Sequence, residues 1–192
     1  GAFSQYLSPT VIDQIVENPD MLQLGGEKRE MTPFFSDIQG FSTISEGLTP
    51  EELVQLLNEY LTAMCDLISS YHGTIDKFEG DAIIAFWGAP LELPNHATVA
   101  CHAAIDMQKK NEEMRKTLRE QNRPMLYTRM GMSSGPVVVG NMGSADRMDY
   151  TMMGDVVNLA ARLEGVNKFY QTFTMISQST YELAKDDIDT RQ

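Results

Sequence analysis

The chain is short of the residues that mark three broad classes of protein. It has 2 cysteines, Cys65 and Cys101, in 192 residues. A disulfide-stapled secreted fold needs more, so two buried thiols in a reducing compartment are expected. It has 15 Lys and Arg against 27 Asp and Glu, a net charge of −12. General nucleic-acid binding needs a basic footprint, which this balance excludes. No apolar run approaches the ~20 residues that span a bilayer. Gly1-Ala-Phe-Ser4 has neither the basic start nor the apolar core of a secretory signal. The cytoplasm is therefore the expected location, either free or as the cytosolic part of a membrane-anchored protein. A Gly rather than a Met at position 1 reads as a piece of a longer chain. The 3 histidines, His72, His96 and His102, show no ligand spacing with a cysteine or with one another.

What is present is ordinary globular material: 42% apolar and 22% charged residues, enough for one sizeable core. Residues 1–28 read as a lead-in. Ser8-Pro9-Thr10 opens a short helix with Val11, Ile12, Ile15 and Val16 as its apolar stripe, broken at Asn18-Pro19 and Gly25-Gly26. From Met31 the pattern becomes α/β. Residues 31–36 predict a buried strand. Thr49-Pro50-Glu51-Glu52 predicts a helix start with Thr49 as N-cap, and Leu53, Leu57, Tyr60, Met64 and Leu67 or Ile68 as its core face. Residues 74–78 and 82–87 predict a hairpin around Glu79-Gly80-Asp81. A long helix is expected over about 95–122, with Val99, Ala103, Ile105, Met107 and Met114 inward. Strands follow at 127–133 and 136–141, and 147–152 reads as a strand or a loop. Gly154-Asp155 opens a helix with Val156, Val157, Leu159, Ala160 and Leu163. A strand at 172–176 and a helix at 177–185 close the chain. That order predicts an α/β (α+β) fold, a mixed sheet with helices mainly on one face.

Two aspartates stand at strand ends. Asp37 follows the apolar run ending at Ser36, and Asp81 precedes Ala82-Ile-Ile-Ala-Phe-Trp87. Two such carboxylates can hold a divalent metal against a phosphate chain. Turn aspartates of no special role are the alternative reading.

Four separated motifs then agree. Phe35-Ser-Asp-Ile-Gln-Gly-Phe41, Asp76-Lys-Phe-Glu-Gly-Asp-Ala-Ile-Ile-Ala-Phe-Trp-Gly-Ala-Pro90, Gly140-Asn-Met-Gly-Ser144 and Tyr150-Thr-Met-Met-Gly-Asp-Val-Val-Asn-Leu-Ala-Ala-Arg-Leu-Glu164 resemble, in order, the motifs of class III nucleotidyl cyclases. Within that family the chain resembles bacterial adenylate cyclases with Lys and Thr at the base-selecting positions. It covers roughly residues 27–190 and implies a ferredoxin-like, palm-type cyclase fold, with residues 29–192 as the catalytic domain. Residues 1–28 resemble the linker that joins such domains to an upstream sensor.

The resemblance also implies roles. Asp37, Asp81 and the carbonyl of Ile38 would hold two Mg2+ or Mn2+ ions. Lys77 would donate to adenine N1, an acceptor; in guanine that nitrogen is a donor. Thr151 would accept from the adenine amino group where many relatives have Asp. Its hydroxyl can both donate and accept, and a plain strand-forming Thr is the other reading. Asn158 would position the ribose and Arg162 would stabilise charge on the transferring phosphate.

The implied activity is a phosphorus–oxygen lyase reaction, ATP to 3′,5′-cyclic AMP and pyrophosphate, for intracellular signalling. The implied partners are ATP, an upstream sensor and a second copy that shares two composite sites at a two-fold interface. Some members of the Lys/Thr subgroup respond to bicarbonate. Two alternatives stay open: a guanylyl or mixed-specificity cyclase, and a silent dimerising or nucleotide-binding domain. The family also continues into C-terminal strands with a Val-Lys-Gly-Lys-like stretch. No such stretch occurs before Gln192, so those strands are expected to be missing.

Overall fold

Met31, Phe34 and Ile38 are each at most 2% exposed, and they sit in one strand, β1 (Gly25–Ile38), around which the sheet is built. A computed structural model describes residues 9–22 and 24–191. The second half of β1 pairs antiparallel with β3 (Ala82–Trp87) on one side and β4 (Thr128–Met132) on the other. Its first half pairs with β5 (Gly135–Ser144), which pairs in turn with β6 (Arg147–Met153). β2 (Thr74–Glu79) flanks β3, and β7 (Thr174–Ile176) lies parallel to β4. The path runs β2-β3-β1-β4-β7, with β5 and β6 branching from β1. One strand serving two sets of neighbours makes the sheet curl. One parallel pair among antiparallel ones makes it mixed, as expected.

Alternation along the strands divides the core in two. Phe34 and Ile38 of β1, Ile83, Ala85 and Trp87 of β3, and Met130 and Met132 of β4 face one side. There they meet α3 (Pro50–Ser70), α4 (His96–Glu120) and α6 (Gln178–Ala184). Met31, Phe35, Ile84 and Phe86 face the other side, with Val137, Val139, Met152 and Val157. Val157 belongs to α5 (Asp155–Tyr170). Asp37 is two residues from Phe35, so it shares the α5 side, whereas Ile38 points into the α3–α4 core.

Several expectations held locally. The Thr49 side chain caps α3 by accepting from the Glu52 N–H at 3.2 Å, and its hydroxyl donates to Glu52 Oε1 at 3.1 Å. The hairpin spans Thr74–Glu79 and Ala82–Trp87, and residues 147–153 are a strand.

Other expectations are corrected. The β1 strand starts at Gly25 and not at Met31, so the Gly25-Gly26 break is its first two residues. Residues 25–30 are mostly exposed and polar, so no buried-strand pattern betrays them. In α3 the fully buried residues are Leu56, Tyr60, Met64 and Ile68, a strict i, i+4 row; Leu57 and Leu67 pack beside it and Leu53 is only half-buried. Ile105 of α4 is 42% exposed, while Ala103, Ala104 and Met107 take the inward face. A short helix, α2 (Phe41–Glu46), follows Gly40 and had no counterpart in the sequence reading. α1 (Pro9–Glu17) forms, but Val16 is exposed; Ser8 lies outside the described residues, as does the Val11 side chain. No described helix is long and apolar enough to cross a membrane.

Candidate active site

The Asp81 carboxylate is tied to the backbone of the segment that carries Asp37. Its Oδ2 accepts from the Ile38 N–H at 2.7 Å. Asp81 follows Gly80, whose φ of +61° allows the tight turn between β2 and β3. Because Ile38 is locked into the core, this bond fixes Asp81 beside Asp37. Arg129 stands directly opposite Asp37 on β4, and its Nε donates to Asp37 Oδ1 at 3.2 Å. Glu164 enters from α5.

Three acids thus gather around one guanidinium. Burial raises Asp81 above the usual carboxylate range, opposed by the backbone N–H groups it accepts from and reinforced by the Asp37 charge. Burial, followed by a hydrogen bond to Asp37 and repulsion from it, pushes Glu164 up to about 8. Tyr60 lies beneath them, fully buried, its hydroxyl 2.9 Å from that of Thr128. Desolvation raises Tyr60 well above its ordinary range, so it acts as a neutral floor.

A half-buried site with more negative than positive charge, built only of oxygen donors, suits a hard divalent cation. Among the described residues no group of three or more His, Cys, Asp or Glu is placed to hold a metal ion by itself. Two aspartates and the carbonyl of Ile38 are the open kind of donor set, which leaves coordination positions for water or phosphate. The residues present therefore fit the expected metal.

Lys77 and Thr151 meet at a third residue. The Thr151 hydroxyl, on β6, donates to Asp76 Oδ2 at 2.6 Å. Lys77 Nζ lies 3.8 Å from Asp76 Oδ1. The Asp76 side chain is 3% exposed and that of Lys77 is 45% exposed. The β2–β3 register shifts between Ile75 and Lys77, leaving Asp76 as the extra residue of a bulge.

Asn158 and Arg162 project from the exposed face of α5, one turn apart. Among the described residues no side-chain hydrogen bond or ion pair engages either one. The opposite face of α5 seats on the sheet through Val157, Ala160 and Asn167, and the Asn167 amide donates to the Met130 carbonyl at 2.8 Å. Leu159, expected to pack, is 37% exposed instead, because the helix turns that position to solvent beside Asn158.

The structure therefore brings Asp37, Ile38 and Asp81 together, and Lys77 and Thr151 together. It joins Asn158 and Arg162 to neither group. Sequence reasoning passed over Arg129, Glu164 and Asp76. Glu164 and Asp76 end and begin quoted motifs, and that was the available signal. Arg129 carried none, since only the β1–β4 register pairs it with Asp37.

The sequence matches the family described as the adenylate and guanylate cyclase catalytic domain over residues 26–192. The chain belongs to this family. It is 36% identical over 189 residues to Adenylate cyclase 1 of Rhizobium meliloti (strain 1021), covering 98% of this chain and 28% of that protein. It is 37% identical over 155 residues to an adenylate cyclase of Anabaena cylindrica, covering 79% of this chain and 30% of the relative. The chain thus spans less than a third of either. Among solved structures it superposes on the adenylyl cyclase CyaB from P. aeruginosa with a TM-score of 0.82 and 41% identity, covering 88% of this chain and 86% of that one. The guanylyl cyclase Cya2 superposes with a TM-score of 0.81 at 37% identity, covering 88% and 85%. The cyclase fold is shared by both, and base preference is not decided by fold.

Proposed function

We propose that this cyclase domain is the catalytic unit of an adenylate cyclase, converting ATP to 3′,5′-cyclic AMP and pyrophosphate. The observation that carries the adenine reading is the convergence of Lys77 and Thr151 on Asp76. An ammonium donor suits adenine N1 and opposes guanine N1–H. In the reaction the ribose 3′-oxygen bonds to the α-phosphorus, the bond to the bridging oxygen of the β-phosphate breaks, and pyrophosphate leaves. The hydroxyl proton passes to solvent. Asp37, Asp81 and the Ile38 carbonyl would hold two Mg2+ or Mn2+ ions, which when bound lower the hydroxyl pKa and neutralise phosphate charge. Arg129 steadies Asp37, and the Ile38 N–H steadies Asp81.

The site would be shared between two copies. Among the described residues Asn158 and Arg162 engage no side-chain partner, and Leu159, Phe169, Tyr170 and Phe173 lie exposed on or beside the same helix. A second copy seated there would bring its own Asp37 and Asp81 to the Arg162 of the first. In such a homodimer Asn158 would hold the ribose and Arg162 the transferring phosphate. The chain would be the output domain of a longer cytoplasmic or membrane-anchored protein, with residues before β1 as the link to a sensor.

The test measures cyclic nucleotide and pyrophosphate with manganese and either ATP or GTP. Cyclic AMP formed faster than cyclic GMP supports the reading. No product from a folded dimer would favour a silent domain. Cyclic GMP as main product would favour a guanylyl cyclase, the second reading, to which the likeness to Cya2 gives weight. Lys77→Glu should lose ATP turnover first. Mixing Asp37→Ala with Arg162→Ala chains should restore part of the activity if sites are shared.

A further inference from the structure

A threonine at position 151 poses a problem for base selection. A hydroxyl can accept from the adenine amino group or donate to the guanine carbonyl with equal ease. Left free to rotate, it would discriminate poorly. The hydroxyl of Thr151 is not free, because its single proton is directed at Asp76 Oδ2, 2.6 Å away.

We propose that Asp76 is a specificity-determining positioning residue: by taking the Thr151 proton it leaves the Thr151 oxygen as an acceptor only, which selects adenine over guanine. The inference rests on the reading of Lys77 and Thr151 as the base-selecting pair. An ionised carboxylate has no proton to give, so the direction of this bond is fixed. Its outward consequence is a lone pair facing the substrate. That lone pair attracts an exocyclic amino group and repels a carbonyl oxygen.

Three features show that Asp76 is built for this task. First, it is the extra residue of the β2 bulge, and bulges re-aim a side chain away from the ordinary alternation. The re-aimed carboxylate meets β6, which does not pair with β2. Second, its side chain is 3% exposed, so it is too buried to contact a base itself and acts through Thr151. Third, its other oxygen, Oδ1, is buried without a hydrogen-bond partner. Burial raises the Asp76 carboxyl, and the Thr151 hydrogen bond and the Lys77 charge oppose that rise; Lys77 Nζ, at 3.8 Å, is not itself spent in a hydrogen bond. The ammonium therefore keeps its donors for the ring nitrogen. One buried carboxylate thus sets the polarity of both base contacts, with Thr151 accepting and Lys77 donating.

The experiment is a cycle of Asp76→Asn and Thr151→Val, singly and together, scored by kcat/KM for ATP and for GTP. Asn is isosteric with Asp and can donate to the Thr151 oxygen, which frees the hydroxyl proton to point outward. The ATP:GTP ratio should fall about tenfold in Asp76→Asn. It should not fall further when Asp76→Asn is added to Thr151→Val. Thr151→Ser, which keeps the hydroxyl, should keep the wild-type ratio. Equal losses on both substrates in Asp76→Asn, or the same change in ratio with and without the Thr151 hydroxyl, would overturn the inference and reduce Asp76 to a structural acid.

Should Asp76→Asn not fold, Thr151→Val alone decides. Removing a fixed acceptor should raise or preserve GTP turnover, and a loss of GTP turnover would mean that the hydroxyl had been donating. A wild-type enzyme that prefers GTP would defeat the adenylate reading itself. A wild type that prefers ATP, with an unmoved ratio in Asp76→Asn, would defeat only this inference.

Discussion

At Gly131 the sheet closely approaches the backbone of the helix carrying Asn158 and Arg162, and Gly131→Ala tests that seat directly. A Cβ at Gly131 would lie 2.8 Å from the Glu164 Cα, and nearer still to the Glu164 nitrogen and the Ala160 carbonyl oxygen. All three are backbone atoms of α5, so no rotamer change relieves the clash. Ordinary carbon–carbon contact is about 3.5–4.0 Å, so α5 must retreat by about 1 Å. Overpacking of this kind costs about 1–3 kcal/mol. The retreat also strains the bond from Asn167 to the Met130 carbonyl; the amide keeps the Leu163 and Glu164 carbonyls of its own helix, so losing this one bond costs a further ~0.5–1.5 kcal/mol. The two effects share one displacement and do not add in full, so a loss of about 2–4 kcal/mol is expected.

The same displacement moves Asn158 and Arg162, and a shift near 1 Å at a reacting centre can cost about a hundredfold in rate. Urea unfolding of Gly131→Ala gives the stability and cyclic-nucleotide formation gives the rate. Gly165→Ala supplies the control within the same helix. Its Cβ meets nothing within 4 Å, and Ala for Gly in a helix interior stabilises by about 0.5–1 kcal/mol. If Gly131→Ala unfolds within 0.5 kcal/mol of the wild type, or Gly165→Ala is equally damaging, α5 does not rest on Gly131 as described.

Three further outcomes follow from the acids and bases of the fold. Burial holds the Glu164 proton in the folded state up to about 8, against 4.5 for the free side chain. The folded protein thus binds more protons than the unfolded one in that window, and stability falls as pH rises through it. The ceiling is ~1.4 kcal/mol per pH step, and partial solvent access brings the total to the order of 2 kcal/mol. Glu164→Gln should remove this loss, so chemical denaturation in EDTA at pH 8 should find it the more stable; superimposable pH profiles would refute the assignment. His96 shifts the opposite way, since burial lowers its pKa below the ordinary 6.5. Its share of stability is present above pH 6.5 and is lost as the pH falls below it, and His96→Gln should flatten that acid limb in the same assay. Arg129→Met leaves Asp37 without its cation, and unfolding in EDTA should show a loss of about 1–3 kcal/mol. Manganese should recover part of this loss, and recovery equal to that of the wild type would argue against the metal standing beside Asp37.

How much of this was legible in the sequence depended on whether the signal was local. The hairpin around Gly80, the Thr49 cap and the helix after Gly154 each carry their cause within a few residues, and they form where expected. The extended β1 did not announce itself because Gly25, Gly26, Glu27, Lys28 and Arg29 are held by backbone pairing to β5 and add no apolar side chain to the core. In α3 the apolar spacing admitted two neighbouring faces, and only burial in the core shared with Tyr60, Met64 and Ile68 decides for Leu56 over Leu53. The motifs supplied Asp37, Asp81, Lys77, Thr151, Asn158 and Arg162. The residues that hold some of them, Arg129 for Asp37 and Asp76 for Thr151, lie 92 and 75 positions away along the chain. No spacing rule reaches that far.

The location of these supporting residues explains why stability and site geometry should be difficult to separate in this fold. Ile38 is a core residue, and its N–H is what positions Asp81. Gly131 admits α5 to the sheet, and α5 presents Asn158 and Arg162 outward while turning Glu164 towards Asp37. Alternation along β1 sets consecutive residues to opposite tasks, with Phe34, Ser36 and Ile38 anchoring one face and Phe35 and Asp37 supporting the other. A core substitution that tilts β1 must therefore move a carboxylate. By contrast, a change confined to the exposed face of α5 can abolish what Arg162 does and leave the fold intact. Destabilised variants should lose activity through Asp37 and Asp81 together, and stable inactive variants should cluster on Asn158 and Arg162.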